Sequence, residues 1–215
     1  MRKIKGVIFD LDGTIANTLP LCILAFRKSI EPHSNRLITD GEIIATFGPS
    51  EEGTIMALAP GNSQQALEDY LRYYEAMHDI CPAMFEGIAG LLDELRSRFV
   101  RIAMVTGKGH RSTAISLRKF NAAQYFSPVE TGSAEGPRKP AGIAAVLEQW
   151  QCGSSEDIIY VGDAPGDIEA CRQVGVPVIA AAWASTAEPA KLAALQPDAL
   201  FFSVQDFSAW VKERI

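Results

Sequence analysis

The sequence is poor in the features that mark several large protein classes. It holds four cysteines, Cys22, Cys81, Cys152 and Cys171, and none forms a C-x-x-C pair. No Cys/His group has structural-zinc spacing, which speaks against a zinc ribbon or a redox dithiol. Scattered free thiols suggest a reducing compartment. No stretch approaches the ~20 apolar residues of a membrane span. The apolar run after Arg2, Lys3 and Lys5 is only about four residues long before Asp10, against roughly 7–15 in a secretory h-region. No Lys/Arg stripe is present, and the net charge of −6 argues against a general nucleic-acid binder. Internal repeats and low-complexity tracts are also lacking. These absences lead to the expectation of a soluble, cytoplasmic protein that binds neither nucleic acid nor membrane, as a monomer or weak dimer.

What is present is an ordinary globular composition, 47% hydrophobic and 21% charged over 215 residues. That suits one large domain or one domain with an insertion. Lys5 to Phe9 reads as a buried strand. Leu19, Ile23, Phe26 and Ile30 then fall at helical spacing, with Pro32 and Asn35 expected to end the helix. Thr39 and Glu42 form a capping-box pattern, Ser50 can cap a helix through Leu58, and Ser63 opens a longer one. Residues from about 16 to 82 therefore read as all-helical. Beyond them the pattern alternates. Strands are expected at 100–105, near 128–130, at 157–161, at 176–182 and at 199–202. Helices follow Gly87, Gly109, Pro140, Pro165 and Phe202. Strands alternating with helices imply a doubly wound parallel α/β sheet, with the helical block inserted after strand one. The expected division is a core of 1–15 and 83–215 with an inserted helical cap at 16–82.

The first strand, Val7-Ile8-Phe9, runs directly into Asp10-Leu11-Asp12-Gly13-Thr14. Residues i and i+2 of a strand project to one side, so Asp10 and Asp12 can share a small volume. Two carboxylates that close repel each other, and burial worsens it. A cation between them or a shared proton would relieve the repulsion. An Asp-Gly turn is the ordinary alternative for this dipeptide alone.

In doubly wound sheets, sites lie at the carboxyl ends of the strands. Three further groups fall there: Thr106-Gly107, Lys139-Pro140, and Asp163 followed by Asp167. Each has an ordinary reading: a helix cap, a solvated lysine, a turn residue, a first-turn acid. Together they place four carboxylates, a hydroxyl and an ammonium on one rim. That set suits phosphoryl transfer. Aspartate is a competent nucleophile toward phosphorus. Mg²⁺ takes oxygen ligands, often one or two carboxylates plus substrate phosphate, and Asp10 and Asp163 offer such ligands. Lys139 at a helix N-terminus can neutralise phosphate oxygens. Thr106 offers a hydroxyl and Gly107 an unshielded backbone N–H. Asp12 lies within reach of a leaving-group oxygen and can act as general acid, then general base.

Asp10-Leu11-Asp12-Gly13-Thr14, Thr106-Gly107, Lys139-Pro140 and Gly162-Asp163-Ala164-Pro165-Gly166-Asp167 resemble, in order, the four motifs of the haloacid-dehalogenase-like superfamily. The helical insert after the first motif resembles its C1 cap class. The likeness is nearest to the phosphoglycolate-phosphatase-like branch, which includes pyrophosphatases and β-phosphoglucomutases. It implies a Mg²⁺-dependent phosphatase acting on a small phosphorylated metabolite through an aspartyl-phosphate. It further implies Asp10 as nucleophile and Asp12 as acid/base. The metal would be held by Asp10, the Asp12 carbonyl and Asp163, with Asp167 assisting, and the phosphoryl group by Thr106, Gly107 and Lys139. Inorganic pyrophosphatase or β-phosphoglucomutase-like transfer is the alternative. Dehalogenases lack the second aspartate, so Asp12 favours phosphate chemistry. The mutases carry a histidine in the first cap helix and an arginine in the cap loop; here stand Cys22 and Gly48-Pro49-Ser50-Glu51-Glu52. Asn17, Ser50, Glu51, Glu52 and Lys108 are the candidates for leaving-group specificity. For the cap-loop acids, a solvated helix N-terminus is an equal reading.

Overall fold

The computed structural model describes residues 3–34, 36–151 and 155–215. Among them, six strands form one parallel sheet: β1 (Gly6–Phe9), β2 (Arg101–Val105), β3 (Val129–Glu130), β4 (Ile158–Gly162), β5 (Val178–Ala181) and β6 (Ala199–Phe201). Their spatial order is β3-β2-β1-β4-β5-β6, with all pairs parallel. β1 is central and pairs with β2 on one edge and β4 on the other. Its sequence does not alternate because both of its faces are covered. Val7 and Phe9 pack with Ile88 and Leu92 of α5 (Ile88–Ser97) and Phe207 of α10 (Val204–Lys212). Ile8 faces the other way, toward Ile143 of α7 (Lys139–Gln149) and Ile168 of α8 (Pro165–Val174). The doubly wound α/β reading thus holds.

Between β1 and α5 the chain forms α1 (Leu19–Ser34), α2 (Asp40–Ile44), α3 (Glu51–Leu58) and α4 (Ser63–Ala76). The capping box at Thr39 is formed: Thr39 Oγ1 accepts from the Glu42 N–H and Glu42 Oε2 from the Thr39 N–H. The insert closes its own apolar cluster around Phe26, Ile30, Ile43, Ile55, Tyr70 and Tyr74. Tyr70 stacks on Tyr74 at 5.7 Å and lies 4.4 Å from Phe26, so these tyrosines are packing groups. One residue from outside the insert, Ile115 of α6 (His110–Lys119), enters the cluster. Arg111 holds Glu68 with two hydrogen bonds of 2.6 and 2.8 Å, and Arg118 reaches Glu75. These pairs are exposed, so each adds little. No described helix is long and apolar enough to cross a membrane. Cys22, Cys81 and Cys171 are free and buried; Cys152 lies outside the described residues.

Two elements differ from expectation. α1 runs through Pro32 to Ser34, and Asn35 lies outside the described residues. Proline forfeits one hydrogen bond, which in a final turn is a small loss beside the burial of Phe26 and Ile30. α9 (Pro189–Ala194) is an added helix between β5 and β6. A parallel pair needs a crossover, but six residues with only Leu192 buried are too short to show a period.

Candidate active site

The carboxyl ends of β1, β2 and β4 meet where the strand order reverses, the position at which such sheets place their sites. Asp10 follows β1 directly and is buried. Its Oδ1 accepts the Leu11 N–H at 2.7 Å and its Oδ2 accepts from Lys139 Nζ at 2.9 Å. The loop then turns at Gly13, where φ is +77°. A Cβ there would overlap the Asp163 carboxylate, lying 2.5 Å from its Cγ. Glycine therefore serves twice at this position, for the left-handed backbone and for the close approach. Thr14 completes the loop: its carbonyl accepts the Trp183 indole N–H at 3.0 Å, and its Oγ1 lies 3.4 Å from Asp163 Oδ1. Trp183, after β5, thus holds the Asp10 loop in place.

Asp167 sits in the first turn of α8 and is fully buried. Its Oδ2 accepts the Ala164 N–H at 3.0 Å; its Oδ1 accepts from Tyr160 at 2.9 Å and from Lys139 Nζ at 2.5 Å. Gly162 admits this carboxylate, because a Cβ there would lie 2.8 Å from Asp167 Cβ and closer still to the carboxyl group. Lys139 opens α7, with Pro140 beside it in the first turn, and bridges Asp10 and Asp167. Burial would lower the Lys139 pKa, but Asp10 and Asp167 outweigh it and hold the ammonium charged. Asp10 goes the other way. Burial, aided by Asp167 and Asp12, lifts it to about 6 despite Lys139. Burial and Asp10 likewise push Asp163 well above the usual carboxylate range.

This excess of negative charge bears on a metal. One oxygen each from Asp10, Asp163 and Asp167 lie within 4.8 Å of one another. Three hard oxygen donors with a single shared ammonium fit a divalent cation of the Mg²⁺ class. The carboxylate of Asp12 stands outside this trio. Its Oδ1 accepts from Thr18 Oγ1 and lies 3.4 Å from Lys108 Nζ. The two aspartates that looked like rivals for one cation therefore each have a lysine: Asp10 has Lys139 and Asp12 has Lys108.

Thr106 follows β2, is buried, and its Oγ1 accepts the Lys108 N–H at 3.2 Å. Gly107 lies beside Lys139, whose Cε would be 3.8 Å from an added Cβ. These residues, with Asp10, Asp12, Asp163 and Lys139, line a cleft of about 570 Å³ between the sheet and the insert. Asp167 is not among the lining residues but holds Lys139, which is.

The specificity candidates divide. Lys108 and Glu51 line the cleft; Asn17, Ser50 and Glu52 are not among its lining residues. Asn17 bonds Ser185 Oγ at 3.3 Å, and Ser50 Oγ bonds Glu52. Glu51 is buried, not solvated: it accepts the Gly109 N–H and Ser112 Oγ, each at 2.5 Å, and lies 3.4 Å from Lys108 Nζ. Its carboxylate thus fills the N-terminus of α6, where the dipole favours an anion. Lys108 is fully enclosed; burial would lower its pKa, yet Asp12 leads the groups that raise it. Sequence reading missed Thr18 and Tyr160. For Tyr160 a signal existed, a phenol in an otherwise apolar buried strand needs a polar partner.

Comparisons with known proteins bear on the family and the fold. Residues 7–181 match the family of haloacid dehalogenase-like hydrolases. Pyrophosphatase PpaX of Listeria welshimeri is 27% identical over 98% of this chain and 98% of its own length. Phosphoglycolate phosphatase of Synechococcus elongatus is 28% identical over 83% of this chain and 84% of its own. Among solved structures, a haloacid dehalogenase-like family hydrolase from Streptococcus pneumoniae superposes with a TM-score of 0.77 and 26% identity, covering 96% of this chain and 98% of that one. The match spans the central strand, the helical insert and both lysine–aspartate pairs, and the chain belongs to the haloacid dehalogenase-like hydrolase family.

Proposed function

We propose that this phosphatase hydrolyses a small phosphorylated metabolite with Mg²⁺, through an aspartyl-phosphate on Asp10. The observation that carries the reading is the buried group of Asp10, Lys139, Asp163 and Asp167 at one end of the sheet. Asp10, Asp163 and Asp167 would hold the cation, with the Asp12 carbonyl beside them. When bound, the ion supplies positive charge that offsets the phosphate and the carboxylates.

An oxygen of Asp10 forms a bond to phosphorus as the bond to the leaving oxygen breaks. Asp12 gives its proton to that oxygen, which departs as a neutral alcohol. Lys139 and the backbone N–H of Gly107 bind the phosphoryl oxygens, and Thr106 Oγ1 positions them. Asp12, now a carboxylate, takes a proton from water. That water attacks the phosphorus of the aspartyl-phosphate, releasing inorganic phosphate and restoring Asp10. Lys108 and Thr18 orient Asp12 toward the leaving group. With a pKa of about 6, Asp10 is mostly ionised at pH 7 even before a cation binds.

The test is phosphate release from a panel of monoesters with and without Mg²⁺. Hydrolysis should require the cation and should be lost in Asp10→Asn, which keeps the shape of Asp10 but not its nucleophilic carboxylate. Wild-type turnover by Asp10→Asn refutes the reading.

A further inference from the structure

The insert's wall of the cleft differs in chemistry from the sheet's wall. Among the described residues, nine that line the cleft come from the insert, and none of these is Lys, Arg or His. Leu19, Phe26, Phe47, Pro49 and Tyr70 give the wall an apolar, largely aromatic surface. Its one charged group is Glu51, an anion.

The two cations among the described lining residues come from the sheet side, and both are already matched. Lys139 bridges Asp10 and Asp167 and is assigned to the transferring phosphoryl group. Lys108 Nζ lies 3.4 Å from Asp12 and 3.4 Å from Glu51, sits 3.1 Å from Cys22 Sγ, and rests 4.3 Å above the Tyr74 ring. A second anion on the substrate would therefore find Lys108 already matched by the Glu51 carboxylate, with Asp12, the acid of the first step, beside it. Like charges in a desolvated site are strongly disfavoured.

We propose that the cleft selects phosphate monoesters whose leaving group carries no second charge and turns an apolar or aromatic face toward Leu19, Phe26, Phe47 and Pro49. The inference rests on the phosphatase reading and narrows its substrate class. It departs from what the names of the PpaX and phosphoglycolate phosphatase relatives would suggest, since pyrophosphate and phosphoglycolate both carry a second anion. The cleft, at about 570 Å³, has room for a ring-sized leaving group beside the phosphate.

The test compares kcat/KM with Mg²⁺ for benzyl phosphate, propyl phosphate, phosphoglycolate and pyrophosphate. The three esters are all of alkyl alcohols, so a phenol's leaving ability does not enter. Benzyl and propyl phosphate should exceed phosphoglycolate and pyrophosphate by at least about tenfold. Calorimetry on Asp10→Asn gives a readout independent of turnover: benzyl phosphate should bind at least about tenfold tighter than phosphoglycolate. Phe47 is partly exposed at the cleft, so Phe47→Arg can be accommodated; it should shift the phosphoglycolate-to-benzyl-phosphate ratio toward phosphoglycolate by about tenfold. Preference of the natural sequence for phosphoglycolate or pyrophosphate overturns this inference and leaves the phosphatase reading standing. Hydrolysis of none of the four, with no binding to Asp10→Asn, overturns both.

Discussion

Two left-handed glycines give a controlled test of how the site is held. Gly13 has φ +77° and Gly175 has φ +69°, so Gly→Ala imposes nearly the same backbone penalty at both. That penalty is about 1–2 kcal/mol. For a chain of this size it lowers the melting temperature by roughly 2–8 °C. The surroundings differ. Nothing lies within 4 Å of a Cβ at Gly175, the C-cap of α8, whereas a Cβ at Gly13 overlaps the Asp163 carboxylate. Gly175→Ala should therefore lose stability alone. Gly13→Ala should lose stability and also displace Asp163, a proposed cation ligand. A misplacement near 1 Å at a reacting centre lowers turnover by about 10²-fold. Thermal unfolding of both variants, with EDTA and with Mg²⁺, separates the effects. Gly175→Ala should keep the Mg²⁺-dependent rise in melting temperature and the turnover of the natural protein. Gly13→Ala should lose most of both. If Gly13→Ala retains them, the close packing of the Asp10 loop on Asp163 is not what shapes the site.

Two further outcomes follow from the charge arrangement. Asp10 is raised from its ordinary value to about 6, so the folded protein holds this proton more tightly than the unfolded chain. Its contribution to stability is present below about pH 4 and is lost as the pH rises through about 6. Asp163 is shifted in the same direction. A divalent cation competes with these protons, so the stabilisation by Mg²⁺, measured by thermal shift, should be larger at pH 8 than at pH 5; a pH-independent increment would refute the cation site. Glu51→Ala removes the buried carboxylate that joins the insert to α6 and leaves Lys108, the Gly109 N–H and Ser112 short of a partner. The loss should be on the order of 3 kcal/mol by denaturant unfolding, and a change below about 0.5 kcal/mol would show that Glu51 is solvated instead.

Much of the site was legible in the sequence because its residues stand beside strong local signals. The apolar run into Asp10, the Pro140 after Lys139 and the Gly162-Asp163 pair each mark the end of a strand or the start of a helix. A parallel sheet brings such ends to one rim whatever the details of packing. The helices between β1 and α5 were legible for the same reason, through a capping box and a 3.6-residue period. Pro189–Ala194 was too short to show one.

Partnership across the fold was a different matter. The spacing of Asp10 and Asp12 shows that two carboxylates come close, but only the packed structure shows that each has its own lysine. Glu51 at a helix start reads equally well as solvated or buried; the packing of α3 against the N-terminus of α6 makes it a buried clamp on Gly109 and Ser112. Asn17 bonds Ser185, which the chain brings near beyond β5, and is not among the residues that line the cleft. The sequence by itself determined which polar groups stand at the strand ends and helix starts, since strand and cap signals are local. The tertiary structure decided which charges are matched and which surface lines the cleft, because burial and ion pairing depend on residues far apart in the chain.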